Sequence, residues 1–114
     1  MFETEKEIRA GKHFQVLVVW GKMSAEGLKT FEDKLAECLT AETDQILIDF
    51  QQCPYLSSRI FPSLLNFQDK ANAQDIGFSI VLSDALLDIF RITRLDRRLR
   101  LFTEKKLAFE AKGL

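Results

Sequence analysis

What this chain has little of narrows its function first. Its single histidine, His13, lies in the turn-like stretch Ala10-Gly11-Lys12-His13, so an imidazole-based catalytic or metal constellation would lack members. It reads as a surface histidine. The five glycines, at 11, 21, 27, 77 and 113, match neither the dinucleotide nor the phosphate-loop spacing, so nucleotide binding has no motif and no cofactor or metal is expected. Two isolated cysteines, Cys38 and Cys53, do not make a disulfide framework; with no leader-like segment they fit a reducing cytosol, and a cytoplasmic location is the expectation. The formal net charge of -1 gives no general attraction to nucleic acid or anionic lipid, and no apolar run approaches membrane-spanning length. Neither nucleic acid nor direct membrane insertion is expected. Internal repeats, linkers and low-complexity tracts are absent too.

What is there suffices for a core. With 114 residues, 46% of them hydrophobic and 29% charged, the composition is that of one soluble globular domain. Folding at this size buries about 60–70% of the open chain's surface.

The hydrophobic period alternates along the chain. A polar strand near Glu3 to Arg9 and the apolar run FQVLVVW, Phe14 to Trp20, flank the turn and read as an edge strand feeding a buried one. Gly21 breaks that run, Ser24 can cap a helix, and Leu28, Phe31, Leu35 and Leu39 recur on one face. Gln45 to Phe50 is a short strand, and a helical pattern runs from about Ile60 to Asn72. Gly77 to Leu82 is a buried-type strand, followed by a helix through about Ile92, with caps at Ser83 and Asp84 and apolar Ala85, Leu86, Ile89 and Phe90. A short strand at Arg98 to Phe102 leads to a helix capped by Thr103, carrying Leu107, Ala108 and Ala111 and stopped by Gly113. Strands separated by helices imply crossovers and a mostly parallel sheet, made mixed by the opening hairpin: an α/β fold of about five strands and about four helices.

Three features carry chemistry. Asp49 ends a strand but has no second carboxylate near it in sequence; it reads as a solvent-facing strand residue rather than a catalyst. Arg91, Arg94, Arg97, Arg98 and Arg100 are interleaved with Ile92, Leu95, Leu99 and Leu101 rather than with aromatic platforms, which favours a solvated loop or contact with an acidic protein over nucleic acid. The third is the elbow CPYLSSRIFPSLL, residues 53–65. Ser57 or Ser58 precedes an apolar helical run and can cap it, and Pro62 fits a helix that begins only a few residues earlier. The elbow thus sets hydroxyls at a positive helix end, a place that tolerates phosphate.

The run ILIDFQQCPYLSSRIFPSLL resembles the strand–loop–helix signature of STAS domains, the anti-sigma factor antagonist family. In that family an apolar strand leads to Asp/Ser-Ser-Ser/Thr-Gly-Leu and a helix. WGKMSAEGLKTFEDKL is similar to the family's strand, glycine and first helix; GFSIVLSDALLDIFRITRLDRRLRLFTEKKLAFEA is similar to its late strand, short helix, last strand and final helix. The resemblance spans nearly the whole chain and implies a single STAS-like domain over residues 1–114. In this register Ser57 matches the family's Asp or Ser, Ser58 its first hydroxyl, Arg59 the usual phosphoacceptor and Ile60 the glycine. Sliding by one would put Ser58 on the phosphoacceptor but set Leu56 against the acid and spoil the matches at Phe61 and Leu64.

The resemblance implies a non-enzymatic interaction module that binds a regulatory serine kinase/anti-sigma factor through the elbow, without the usual phosphorylation. Ser57, Ser58, Arg59, Ile60, Pro62, Ser63 and Phe67 are the candidate partner-binding residues, with Ser58 and Ser57 as candidate non-standard phosphoacceptors. A STAS-like accessory subunit docking on a transporter ATPase is the alternative, and an unrecognised enzyme the third class. The helix after the elbow has more apolar positions than one face accommodates. Spacing buries Ile60, Leu64, Phe67 and Ala71; the family register buries Phe61, Leu64, Leu65 and Gln68 and turns Ile60 and Phe67 outward into a contact patch.

Overall fold

The structure, a computed structural model, describes residues 1–111. It contains five strands and four helices in the order β1 (Phe2–Arg9), β2 (Lys12–Trp20), α1 (Leu28–Glu37), β3 (Gln45–Gln52), α2 (Ile60–Ala73), β4 (Gly77–Val81), α3 (Asp84–Ile92), β5 (Leu101–Phe102) and α4 (Lys105–Glu110). The expected α/β order is borne out, as is the mixed sheet.

The sheet runs β1-β2-β3-β4-β5 in sequence order, antiparallel between the first two strands and parallel thereafter. The opening hairpin turns on two residues, because Arg9 pairs with Lys12. Ala10 and Gly11 take φ of 50° and 79°, the positive pair that a twisted two-residue hairpin requires, and Gly11 adopts its value without steric cost. The three crossover helices share one face. Phe31 and Leu35 of α1, Ile60, Leu64 and Phe67 of α2, and Leu86 and Phe90 of α3 join Leu17, Val19, Ile46, Ile48, Phe50, Phe78 and Ile80 of the sheet in one core. The opposite face carries a smaller cluster of Phe14, Val16, Leu47 and Val81, covered by Ala108 and Phe109 of α4.

Some local expectations change. Ser24 precedes a 3-10 turn without a side-chain cap bond, whereas the Ser83 Oγ does accept from the Leu86 N–H at 3.3 Å. On α3, Leu86 and Phe90 face inward while Ala85 and Ile89 face out, since only one stripe of so short a helix reaches the sheet. β5 is two residues long: Leu95 and Leu99 bury themselves first, and the backbone between them is held in a 3-10 turn. On α4, which Glu104 rather than Thr103 precedes, Leu107 is exposed and Phe109 packs edge-on against Phe14 at 5.0 Å between centroids. The expected stop at Gly113 lies outside the described residues.

Asp49 is corrected most clearly. It is 5% exposed and not solvent-facing. Its carboxylate accepts from the Gln51 N–H at 2.9 Å and pairs with Lys105 Nζ at 3.3 Å, while the Gln51 amide donates to the Thr103 carbonyl at 3.0 Å. These contacts moor the start of α4 to the sheet. Lys105→Met leaves a buried carboxylate with one donor, so it is expected to cost about 1–3 kcal/mol in a denaturant titration.

Candidate functional site

The elbow leaves β3 at the carboxyl end of the sheet and is held from both sides. Gly21, with φ of 79°, turns the chain out of β2 and donates its N–H to the Gln52 carbonyl at 3.1 Å. Two residues on, Met23 and Leu56 form a parallel bridge, with Met23 N–H to Tyr55 carbonyl and Ser57 N–H to Met23 carbonyl both at 2.9 Å. Cys53, 1% exposed, plugs the base, its thiol donating to the Tyr55 carbonyl at 3.2 Å. The irregular backbone that enters α2 is therefore tied to the chain leaving β2, which fixes what it presents.

The N-cap position of α2 is Arg59, with no side-chain cap bond, so the expected serine cap is not formed on the helix itself. Ser57 holds the turn before it. Its Oγ accepts from the Arg59 N–H at 3.3 Å and its carbonyl from the Ile60 N–H at 3.0 Å, so Ser58 and Arg59 form a lead-in turn before α2 proper. That engagement leaves Ser57 9% exposed. Ser58, Arg59 and Pro62 all face solvent. Arg59 has no ion-pair partner among the described residues, and the first turn of α2 contains no acid. A cation thus stands at the positive end of a helix with no ion-pair partner among the described residues to offset it.

The two readings of α2 are decided by burial. Ile60 and Leu64 are 0% exposed, Phe67 5% and Ala71 0%, whereas Phe61, Leu65 and Gln68 are half-buried. Helical spacing was the better guide. Ile60 and Phe67 belong to the core, Phe67 stacking edge-on with Phe78 at 5.0 Å, and they cannot form an outer contact patch. The family-derived reading placed them outside because it turned the helix by one position. Ser63 is also buried, at 8%, with its Oγ donating to the Glu32 carboxylate at 2.7 Å, so it ties α2 to α1. Of the seven candidate binding residues, Ser58, Arg59 and Pro62 remain on the surface.

Sequence reasoning missed two neighbours. Tyr55 is 51% exposed at the tip of the elbow, and a lone aromatic in a polar loop was the signal available. Phe61 packs edge-on against Phe90 of α3 at 5.1 Å, and on the outer side of that helix Ile89 and Ile92 are 45% and 81% exposed. The charged-helix pattern concealed that stripe.

The thiols offer no chemistry. Burial pushes the Cys38 thiol up to about 11, with Glu37 adding to the rise, and burial likewise raises Cys53 despite the backbone hydrogen bonds that oppose it. Both are expected to resist alkylation at pH 8 in the native protein and to react fully in denaturant, as mass spectrometry would show. A thiol protonated more tightly folded than unfolded also makes stability fall as pH rises above the unfolded value, from about 9 upward. Among the described residues no group of three or more His, Cys, Asp or Glu could hold a metal ion, and no helix is long and apolar enough to cross a membrane.

Comparison with known proteins agrees with this architecture. An anti-sigma factor antagonist from Mycobacterium paratuberculosis superimposes with a TM-score of 0.75 at 20% identity, over 91% of this chain and 87% of that one. The phosphorylated form of the Bacillus cell fate determinant SpoIIAA gives 0.67 at 14% identity, over 95% and 96% of the two chains. A STAS domain protein from Planctomyces limnophilus gives 0.66 at 12%, over 95% and 98%. No curated protein matches the chain. The family profile described as "Mlab, STAS domain" matches residues 7–103, and the chain therefore belongs to the STAS domain family.

Proposed function

We propose that this chain is a non-enzymatic interaction module, one STAS domain throughout, whose elbow docks a regulatory protein partner. The observation that carries the proposal is Arg59: exposed, unpaired among the described residues, and at the head of a helix whose first turn has no acid. Such a cation gains most from a partner's carboxylate. Tyr55, Ser58 and Pro62 are exposed within four residues of it along the chain and would supply the aromatic and shape contacts of a docking centre.

In the family reading the partner is a serine kinase that doubles as an anti-sigma factor, and phosphorylation at the position of Arg59 would end the contact. Arginine cannot accept that phosphate. Ser57 is engaged in the turn before α2, which leaves Ser58 as the accessible hydroxyl. Incubation with the partner kinase and ATP, followed by intact-mass measurement, is expected to show no stoichiometric phosphate. One phosphate on Ser58 would overturn the proposal of binding without a covalent switch.

The loss of the phosphoacceptor also favours a second reading, a STAS-like accessory subunit that stays docked on a transporter ATPase. A constitutive subunit needs no off-switch. Retention of a transporter ATPase and no serine kinase on the immobilised chain would select this reading over the first.

A further inference from the structure

At the opposite end of the sheet from the elbow, the basic stretch that docking leaves unused lines a cleft of about 550 Å³, a size that suits a small metabolite. Between residues 91 and 100 the chain carries five arginines against one aspartate, while its total net charge is -1. Arg97, Arg98 and Arg100 line the cleft from one stretch of chain, with Asp96 beside them. Arg97 and Arg98 are exposed and have no ion-pair partner among the described residues. They are not on a loose loop. Leu95 and Leu99 on either side are buried, the Leu99 N–H bonds the Leu95 carbonyl at 2.9 Å, and the Gln68 amide donates to the Arg98 carbonyl.

The floor is shaped by one glycine. Gly77 opens β4 opposite Gln45, and a Cβ there would lie 2.1 Å from the Gln45 side-chain oxygen. The missing side chain lets the Gln45 amide lie across the strand end and enter the cleft, where Asn72 of α2 adds a second amide. Asp75 and Asp96 also line it. Guanidinium forks match phosphate oxygens in pairs, whereas carboxylates and amides accept from hydroxyls. A bare polyanion would be repelled by the two aspartates. A molecule with phosphate at one end and hydroxyls at the other satisfies both kinds of group.

We propose that this cleft binds a small phosphorylated polyol of the sugar-phosphate class, phosphate toward Arg97 and Arg98, hydroxyls toward Asp75, Gln45 and Asn72. The site is separate from the elbow: β3, which starts at Gln45 and ends before the elbow, spans on the order of 25 Å. Its failure would leave the docking proposal intact.

The test is a proton–nitrogen correlation NMR titration of the full chain at low salt, with glucose 6-phosphate as probe and glucose, inorganic phosphate and sulfate at matched ionic strength beside it. The expected result is saturable shifts at Gln45, Asn72, Gly77 and 97–100 with half-saturation below about 1 mM. Inorganic phosphate should bind the same residues about tenfold more weakly, glucose should not bind, and the Arg97→Ala/Arg98→Ala double variant should lose about tenfold or more in affinity. Unchanged elbow resonances would show that the variant is folded. Absence of saturation, equal shifts from sulfate or glucose, or undiminished binding by the double variant would each overturn the proposal.

Discussion

Phe67→Ala is expected to lower the unfolding free energy by about 3–5 kcal/mol. Phe67 is 5% exposed, sits in the main core among residues of α1, α2 and the sheet, and makes an edge-on ring contact with Phe78. Truncation removes the transfer energy of the ring and leaves a cavity between α2 and the sheet. A domain of this size has about 5–15 kcal/mol in total, so the variant should unfold at a markedly lower urea concentration. Had the side chain been a surface contact, the same change would alter stability by about 0.5 kcal/mol or less. A chemical denaturation curve separates the two.

Arg59→Glu should behave in the opposite way, leaving stability nearly unchanged and weakening the partner complex by about tenfold to a hundredfold, about 1.4–2.7 kcal/mol. The side chain is exposed and forms no ion pair among the described residues, so little is lost on replacement. A glutamate at the start of α2 interacts favourably with the helix dipole, which offsets part of any local cost. At a docking centre the reversal brings like charges together, and desolvating them makes the effect larger than at an interface rim. The two variants form a pair: Phe67→Ala tests the core assignment with the elbow surface unaltered, and Arg59→Glu tests the surface with the core intact.

The fold was legible because its signals are periodic. Phe31 and Leu35 recur at helical spacing, β2 to β4 are β-branched or aromatic runs, and Gly11 and Gly21 punctuate them where φ becomes positive. The mostly parallel sheet then followed from crossover rules. Less legible was anything decided by contacts distant in sequence. Asp49 looked solvent-facing because its partner, Lys105, lies 56 positions away on a helix that no local pattern attaches to β3. The short β5 lost its first residues to the burial of Leu95 and Leu99. At the elbow, local chemistry expected a serine cap where Arg59 takes the N-cap position, and helical spacing placed Ile60 and Phe67 in the core. Projecting a family pattern whose glycine is here Ile60 turned them outward. The exposure of Tyr55, Ile89 and Ile92 depends on which elements pack beside them, and sequence periodicity carries no such information.

The central claim, that the elbow docks a protein partner through Arg59, is tested most directly by titrating the affinity-captured and purified partner with the wild-type chain and with Arg59→Glu side by side. A saturable complex is expected for wild type and a dissociation constant about tenfold or more higher for the variant, at equal thermal stability of the two chains. Equal dissociation constants would contradict it.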